Sequence, residues 1–146
     1  MDVFWSLAII VATTTLHATA VVTMASIFVP IRMRLAERQA SARSVILATI
    51  GVVALIGLLL IALLALEAAL WAAAYLWLGA LTSPADAGLF SLGALTTAGA
   101  PGLTLPRAWQ SMGLLESLNG VLLFGISTAY IFAVMQDYWS LLRRGV

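Results

Sequence analysis

Three apolar runs, each long enough to cross a lipid bilayer, constrain this chain more than any other feature: Val3 to Val29, Val45 to Leu81, and Trp109 to Trp139. A hydrocarbon core about 30 Å thick needs roughly 20 helical residues, and each run exceeds that. With 63% hydrophobic and only 9% charged residues, a water-soluble fold of this length would lack a polar coat. The expectation is one all-α, multi-pass membrane domain with three transmembrane helices.

The segments between the runs set an expected topology. Pro30 lacks an amide donor and is expected to end the first helix, giving an N-terminal span over residues 1–30. "IRMRLAERQASARS" then carries Arg32, Arg34, Arg38 and Arg43 against Glu37, so residues 31–44 read as a basic cytoplasmic loop under the positive-inside rule. Arg143 and Arg144 after the third span place the C-terminus in the cytoplasm too, with the N-terminus outside. Ala18-Thr19-Ala20 has the small-x-small form of a signal cleavage site. Asp2 in place of a positive charge, and apolar sequence continuing beyond, argue for a retained span.

Composition excludes several function classes. Seven arginines and six acids nearly cancel, which leaves no concentrated basic face for nucleic acid. The chain has no Cys and one His, so disulfides and the usual zinc ligand sets are absent. No nucleophile and base pair, phosphate-cradling loop or metal cluster is legible, so no enzyme and no soluble cofactor are expected.

Residues 82–108 are too short to cross and return as two helices. "TSPADAGLFSLGAL" reads as a short helix, with Ser83 as N-cap, Pro84 at the first helical position and Asp86 three residues after the cap. The Gly and Pro of "TTAGAPG" then stop it. A dozen helical residues make a re-entrant element that enters and leaves on the same, outer side. Irregular backbone at membrane depth must be buried by protein or line water. The carbonyl end of such a helix favours a cation, and Thr hydroxyls with backbone carbonyls, repeated around an axis, can replace a hydration shell. One small chain has too few helices to enclose that axis, which demands a symmetric oligomer.

The order of outer helix, short helix, Thr-Thr-x-Gly and inner helix resembles the pore module of tetrameric potassium channels. More closely, the chain resembles small bacterial ion-channel proteins that add an N-terminal helix to that module. The stretches that carry the resemblance are "TTTLHA" at 13–18, "EAALWAAAYLWLGAL" at 67–81, "FSLGALTTAG" at 90–99 and "LESLNGVLLFGISTAYIFAV" at 115–134. It implies a homotetramer in the plasma (inner) membrane. The pore module would span 45–146, with outer helix 45–81, pore helix and filter 83–103 and inner helix 109–142. A permeant monovalent cation, potassium or sodium, would be its only ligand besides the lipid bilayer.

The family filter reads Thr-Thr-x-Gly-Tyr-Gly-Asp, whereas this chain has Thr96, Thr97, Ala98, Gly99, Ala100, Pro101 and Gly102. Ala100 removes an aromatic brace, Pro101 stands where a flexible Gly is used, and Gly102 replaces the acid at the outer mouth. The inner half of a filter survives in composition and the outer half does not. Two readings follow: a cation channel with weakened potassium selectivity, or a non-conducting scaffold or assembly protein that keeps the channel fold.

Glu67 and Glu116 are acids inside apolar spans, where a charge is costly, so each is either hydrogen-bonded behind the pore helix or a proton sensor. Gly120 and Gly125 in the third span are candidate gating hinges, with close helix packing as the alternative. Phe124, Ile131 and Phe132 are bulky enough to close an inner mouth or to face lipid. His17 with Thr13 is expected to bond a neighbouring helix. Trp71, Tyr75 and Trp77 read as an interfacial aromatic belt.

Overall fold

The computed structural model describes residues 2–37 and 41–144 and is all-α. Helix α1 spans Asp2–Glu37, α2 Ala42–Trp77, α3 Pro84–Leu95 and α4 Gln110–Arg144, with a single 3-10 turn at Arg107–Trp109 leading into α4. Three of the four helices are long and apolar enough to cross a membrane, and the short α3 lies between the second and third of them. At 1.5 Å per residue a 36-residue helix is about 54 Å long, which exceeds the hydrocarbon core and calls for tilt or projecting ends. Arg38 and the side chain of Arg144 lie outside the described residues.

Two helix ends differ from expectation, each for a local reason, and α2 begins at Ala42, three residues before Val45. α1 does not end at Pro30 but runs through it to Glu37, so Arg32 and Arg34 are helical rather than in a loop. A proline inside a helix forfeits one backbone bond, a cost of about 3 kcal/mol that a long membrane helix absorbs when its surroundings re-satisfy the freed carbonyl. α2 stops at Trp77 instead of Leu81. Gly79 turns left-handed at φ 72°, Gly79 N–H donates to Leu76 O at 3.1 Å and Ala80 N–H to Tyr75 O at 2.9 Å, which is the Schellman stop. The start of α3 is as expected: Ser83 Oγ accepts from the Asp86 amide at 3.3 Å, with Pro84 in the first turn.

The chain divides into two compact units. The first comprises Met1–His17 and Ala62–Gly125. Its core gathers Ala68, Trp71, Tyr75, Leu95, Leu105, Met112 and Leu123 around α3. Trp5 of α1 meets Trp77 of α2 edge-on at 4.9 Å between ring centroids. The second unit comprises Ala18–Ile61 and Ile126–Val146, and buries Met24, Phe28, Val45, Val52, Ile56, Leu60 and Tyr138. Large apolar side chains on the outward faces, among them Leu114, Leu118, Phe124 and Phe132, remain exposed, as a lipid-facing or subunit-facing surface requires.

The aromatic belt divides. Trp71 and Tyr75, one turn apart on α2, are fully buried, and only Trp77, on the other side of the helix, is exposed at 70%. The period of the helix separates them: positions 71 and 75 share a face, and 77 does not.

Closest approach of backbones occurs at Gly120, where a Cβ would sit 1.9 Å from the Leu95 carbonyl oxygen at the end of α3. At Gly125 nothing lies within 4 Å. Gly120→Ala is therefore expected to cost about 2–3 kcal/mol or prevent folding, since backbone must move. Gly125→Ala is expected to leave stability unchanged or raise it by up to about 1 kcal/mol through helix propensity. Thermal unfolding of the two variants in detergent checks this, and equal behaviour would contradict the packing.

Candidate functional site

The loop after α3 is ordered by its own backbone. Thr96 caps the helix, its hydroxyl donating to Leu92 O at 2.6 Å, and the Thr97 amide donates to Ala94 O at 3.0 Å. Thr97 is the one described non-glycine residue with positive φ, at 59°. A β-branched residue in that region is strained, at a cost of order 1–3 kcal/mol, and glycine is the usual occupant just past a helix end. The Gly99 amide then reaches back to Gly93 O at 3.0 Å. This close return requires glycine at 93, where a Cβ would lie 2.4 Å from the Gly99 carbonyl oxygen.

Pro101 and Gly102 end this segment with a turn. The Leu103 amide donates to Ala100 O at 3.0 Å, with Pro second and a left-handed Gly102 at φ 79° third, the pattern of a type II β-turn. Pro101 is thus accommodated by a reversal of the chain. Thr96, Thr97, Ala98 and Gly99 are exposed on this chain. Beside them a concavity of about 420 Å³ opens between Ala94, Gly99, Ala100, Leu103, Gln110 and Leu114.

Beneath α3 lies a cluster of fully buried polar side chains. Glu116 of α4 accepts from the Tyr75 hydroxyl at 2.6 Å through Oε2, and its Oε1 bonds Ser91 Oγ of α3. Ser91 Oγ also lies 2.7 Å from the Ala68 carbonyl oxygen of α2. Ser91 has one proton for two acceptors. A Glu116 carboxyl that keeps its own proton completes every bond: Tyr75 to Oε2, Oε1 to Ser91, Ser91 to Ala68 O. No net charge is then buried.

The other acid is handled differently. Glu67 Oε1 pairs with His17 Nδ1 of α1 at 3.0 Å, both side chains being fully buried. Asn119 Nδ2 donates to Thr13 Oγ1 at 2.8 Å, and the Thr13 hydroxyl donates to Ile9 O at 2.9 Å. Thr14 Oγ1 adds a longer bond of 3.4 Å to Asn119 Oδ1. Glu67 Oε2 and Trp71 Nε1, one turn apart on α2, are buried without a hydrogen-bonding partner.

Most of the expected site residues gather at α3 and the loop after it, and two do not. Thr96 to Gly102 form one contiguous loop, Glu116 braces the helix before it, and Gly120 seats against the end of that helix. Gly125 touches none of these, and Glu67 serves α1 rather than α3. His17 bonds a neighbouring helix, as expected, through Glu67. Ser91 links Glu116 to the backbone carbonyl of Ala68, the residue that follows Glu67. Ser91 escapes a reading for functional residues. Its signal was a lone hydroxyl on the buried face of α3, one turn after Ala87 and one before Leu95.

Glu116→Gln, whose amide can donate to Ser91 and accept from Tyr75, is expected to keep stability within about 1 kcal/mol. Glu116→Leu orphans the Tyr75 hydroxyl and leaves Ser91 only its bond to Ala68 O, and is expected to cost about 2–3 kcal/mol. His17→Leu strands Glu67 and is expected to cost about 3–5 kcal/mol, with most of it recovered in the His17→Leu, Glu67→Leu double variant. Unfolding midpoints in detergent decide each; a Gln variant as unstable as the Leu variant would rule out the neutral arrangement.

Comparison with known proteins adds no relative: no family model, no curated protein and no solved structure matches the chain.

Proposed function

We propose that the chain is one subunit of a homotetrameric channel for monovalent cations, with α3 as pore helix and Thr96 to Gly99 as a shortened filter. The observation that carries this reading is Thr97, a β-branched residue held at φ 59° where glycine would be cheaper. Strain of this kind concentrates where a particular side chain is needed. Exposure of Thr96 to Gly99 on the single chain agrees with backbone that faces a shared aqueous axis, since such backbone cannot face lipid. The type II turn at Ala100 to Leu103 replaces the outer half of a potassium filter, so fewer carbonyl rings and weaker potassium selectivity follow.

The proposed topology is multi-pass in the plasma (inner) membrane. Arg32, Arg34 and Arg43 flank the connection between α1 and α2 and would lie in the cytoplasm, and α3 follows the opposite, outer end of α2. A non-conducting scaffold is the second reading. The same turn favours it, because a chain that reverses after Ala100 needs no open axis beyond it.

Purified protein in a planar bilayer, with potassium on one side and sodium on the other, separates the two readings. Cation current with weak potassium preference is expected, altered or lost in Thr97→Ala. Thr97→Gly is expected to raise stability by about 1 kcal/mol while impairing selectivity, because relief of strain removes the side chain. Silence from an intact tetramer across pH and voltage would favour the scaffold.

A further inference from the structure

One buried amide stands between α1 and the end of α3, and neither reading uses it. Asn119 of α4 is 2% exposed and lies about 14 Å along the helix from Gln110, at 1.5 Å per residue. An amide so deep in an apolar helix is costly to bury unless its donor and acceptor are both met. Neighbouring residues of α1 meet both: Thr13 Oγ1 accepts from Asn119 Nδ2 at 2.8 Å, and Thr14 Oγ1 donates to Asn119 Oδ1 at 3.4 Å. Thr13 is itself fully buried, and its own proton is directed at Ile9 O, which leaves an oxygen lone pair for the amide.

The residue after Asn119 gives this bond its consequence. Successive residues of an α-helix stand about 100° apart around the axis, so holding Asn119 toward α1 fixes the direction of Gly120. Gly120 meets the end of α3, where a Cβ would lie 1.9 Å from the Leu95 carbonyl oxygen and 2.7 Å from its carbon. Any rotation of α4 that carried Asn119 or Val121 toward that carbonyl would set a Cβ against backbone and displace Leu95, from which Thr96 and the strained Thr97 depart. With Leu118 and Val121 exposed on either side, a directional bond sets that rotation more sharply than apolar packing can. We propose that Thr13 is a positioning residue for Thr96 to Gly99: by holding Asn119 it sets the rotation of α4 at which glycine alone meets Leu95, so that α1 acts on the loop through α4. Its effect on ion selectivity rests on the channel reading above, whereas its effect on the order of the loop does not.

Two readouts on the full chain in lipid test this. One is deuterium exchange of the Thr97 and Gly99 amides, which are bonded to Ala94 O and Gly93 O, and the other is the reversal potential between potassium and sodium. Thr13→Val, similar in shape but without the hydroxyl, is expected to speed exchange at both amides about fivefold, as loss of one ordinary hydrogen bond does, and to leave α2 around Ile56 unchanged. Thr13→Ser should restore wild-type exchange. Asn119→Leu should match Thr13→Val, with no further change when the two are combined. Thr23→Val, which removes an exposed α1 hydroxyl bonded to Thr19 O of its own helix, should change nothing. The reversal potential should shift in Thr13→Val and return in Thr13→Ser. Unchanged exchange at Thr97 and Gly99 in Thr13→Val, failure of Thr13→Ser to restore it, or an equal rise throughout α2 would overturn the proposal, as would faster exchange with an unmoved reversal potential in a conducting protein. The expected exchange pattern in a protein that carries no current would uphold the positioning role and remove the channel reading instead.

Discussion

Glu116 is the group on which the rest of the first unit depends. Its two oxygens engage Tyr75 of α2 and Ser91 of α3 from a position on α4, so one carboxyl joins three elements. A short helix of twelve residues has little stability of its own, because helix nucleation is costly and its apolar face is narrow. In an apolar environment the alternative to these bonds is a set of orphaned polar groups, so the cluster specifies where α3 sits more sharply than apolar packing can. Ser91 extends the tie to the carbonyl of Ala68, which fixes α3 against α2 as well.

Around that node the packing is close where it matters for the loop. Gly120 lets α4 meet the carbonyl end of α3, and Gly93 lets the loop fold back onto the helix it leaves. Met112 and Leu123 fill the core on either side of the acid on α4, while Trp71 and Tyr75 fill it from α2. The loop is consequently positioned by a rigid support, and its one strained residue, Thr97, is over-determined by what surrounds it.

α1 joins the same unit through polar bonds. Thr13 and His17, one turn apart, reach Asn119 of α4 and Glu67 of α2. Asn119 is adjacent to Gly120, so the bond from α1 acts at the place where α4 meets α3. The two acids of the apolar spans are thus paired in different ways, Glu67 through one oxygen to a histidine and Glu116 through both oxygens to hydroxyls, which keeps either from standing alone in a dry interior.

Much of the fold is legible in the amino-acid sequence. Run length and hydropathy define three helices able to span a membrane, and Ser83 with Pro84 marks the start of α3, because capping is local chemistry within a few residues. Proline at 30 misleads, since its penalty is local but its outcome depends on the whole helix, and the aromatic belt misleads because burial is set by neighbouring helices. By itself the amino-acid order determined the number of helices, the capped start of α3 and the composition of the loop, all consequences of short-range sterics and hydrophobicity. Only the tertiary structure decided which acid meets which partner, that Ser91 is the bridge, and that Gly120 rather than Gly125 is the point of backbone contact. Those facts join residues tens of positions apart, and such pairings follow from packing in three dimensions, which no local pattern encodes.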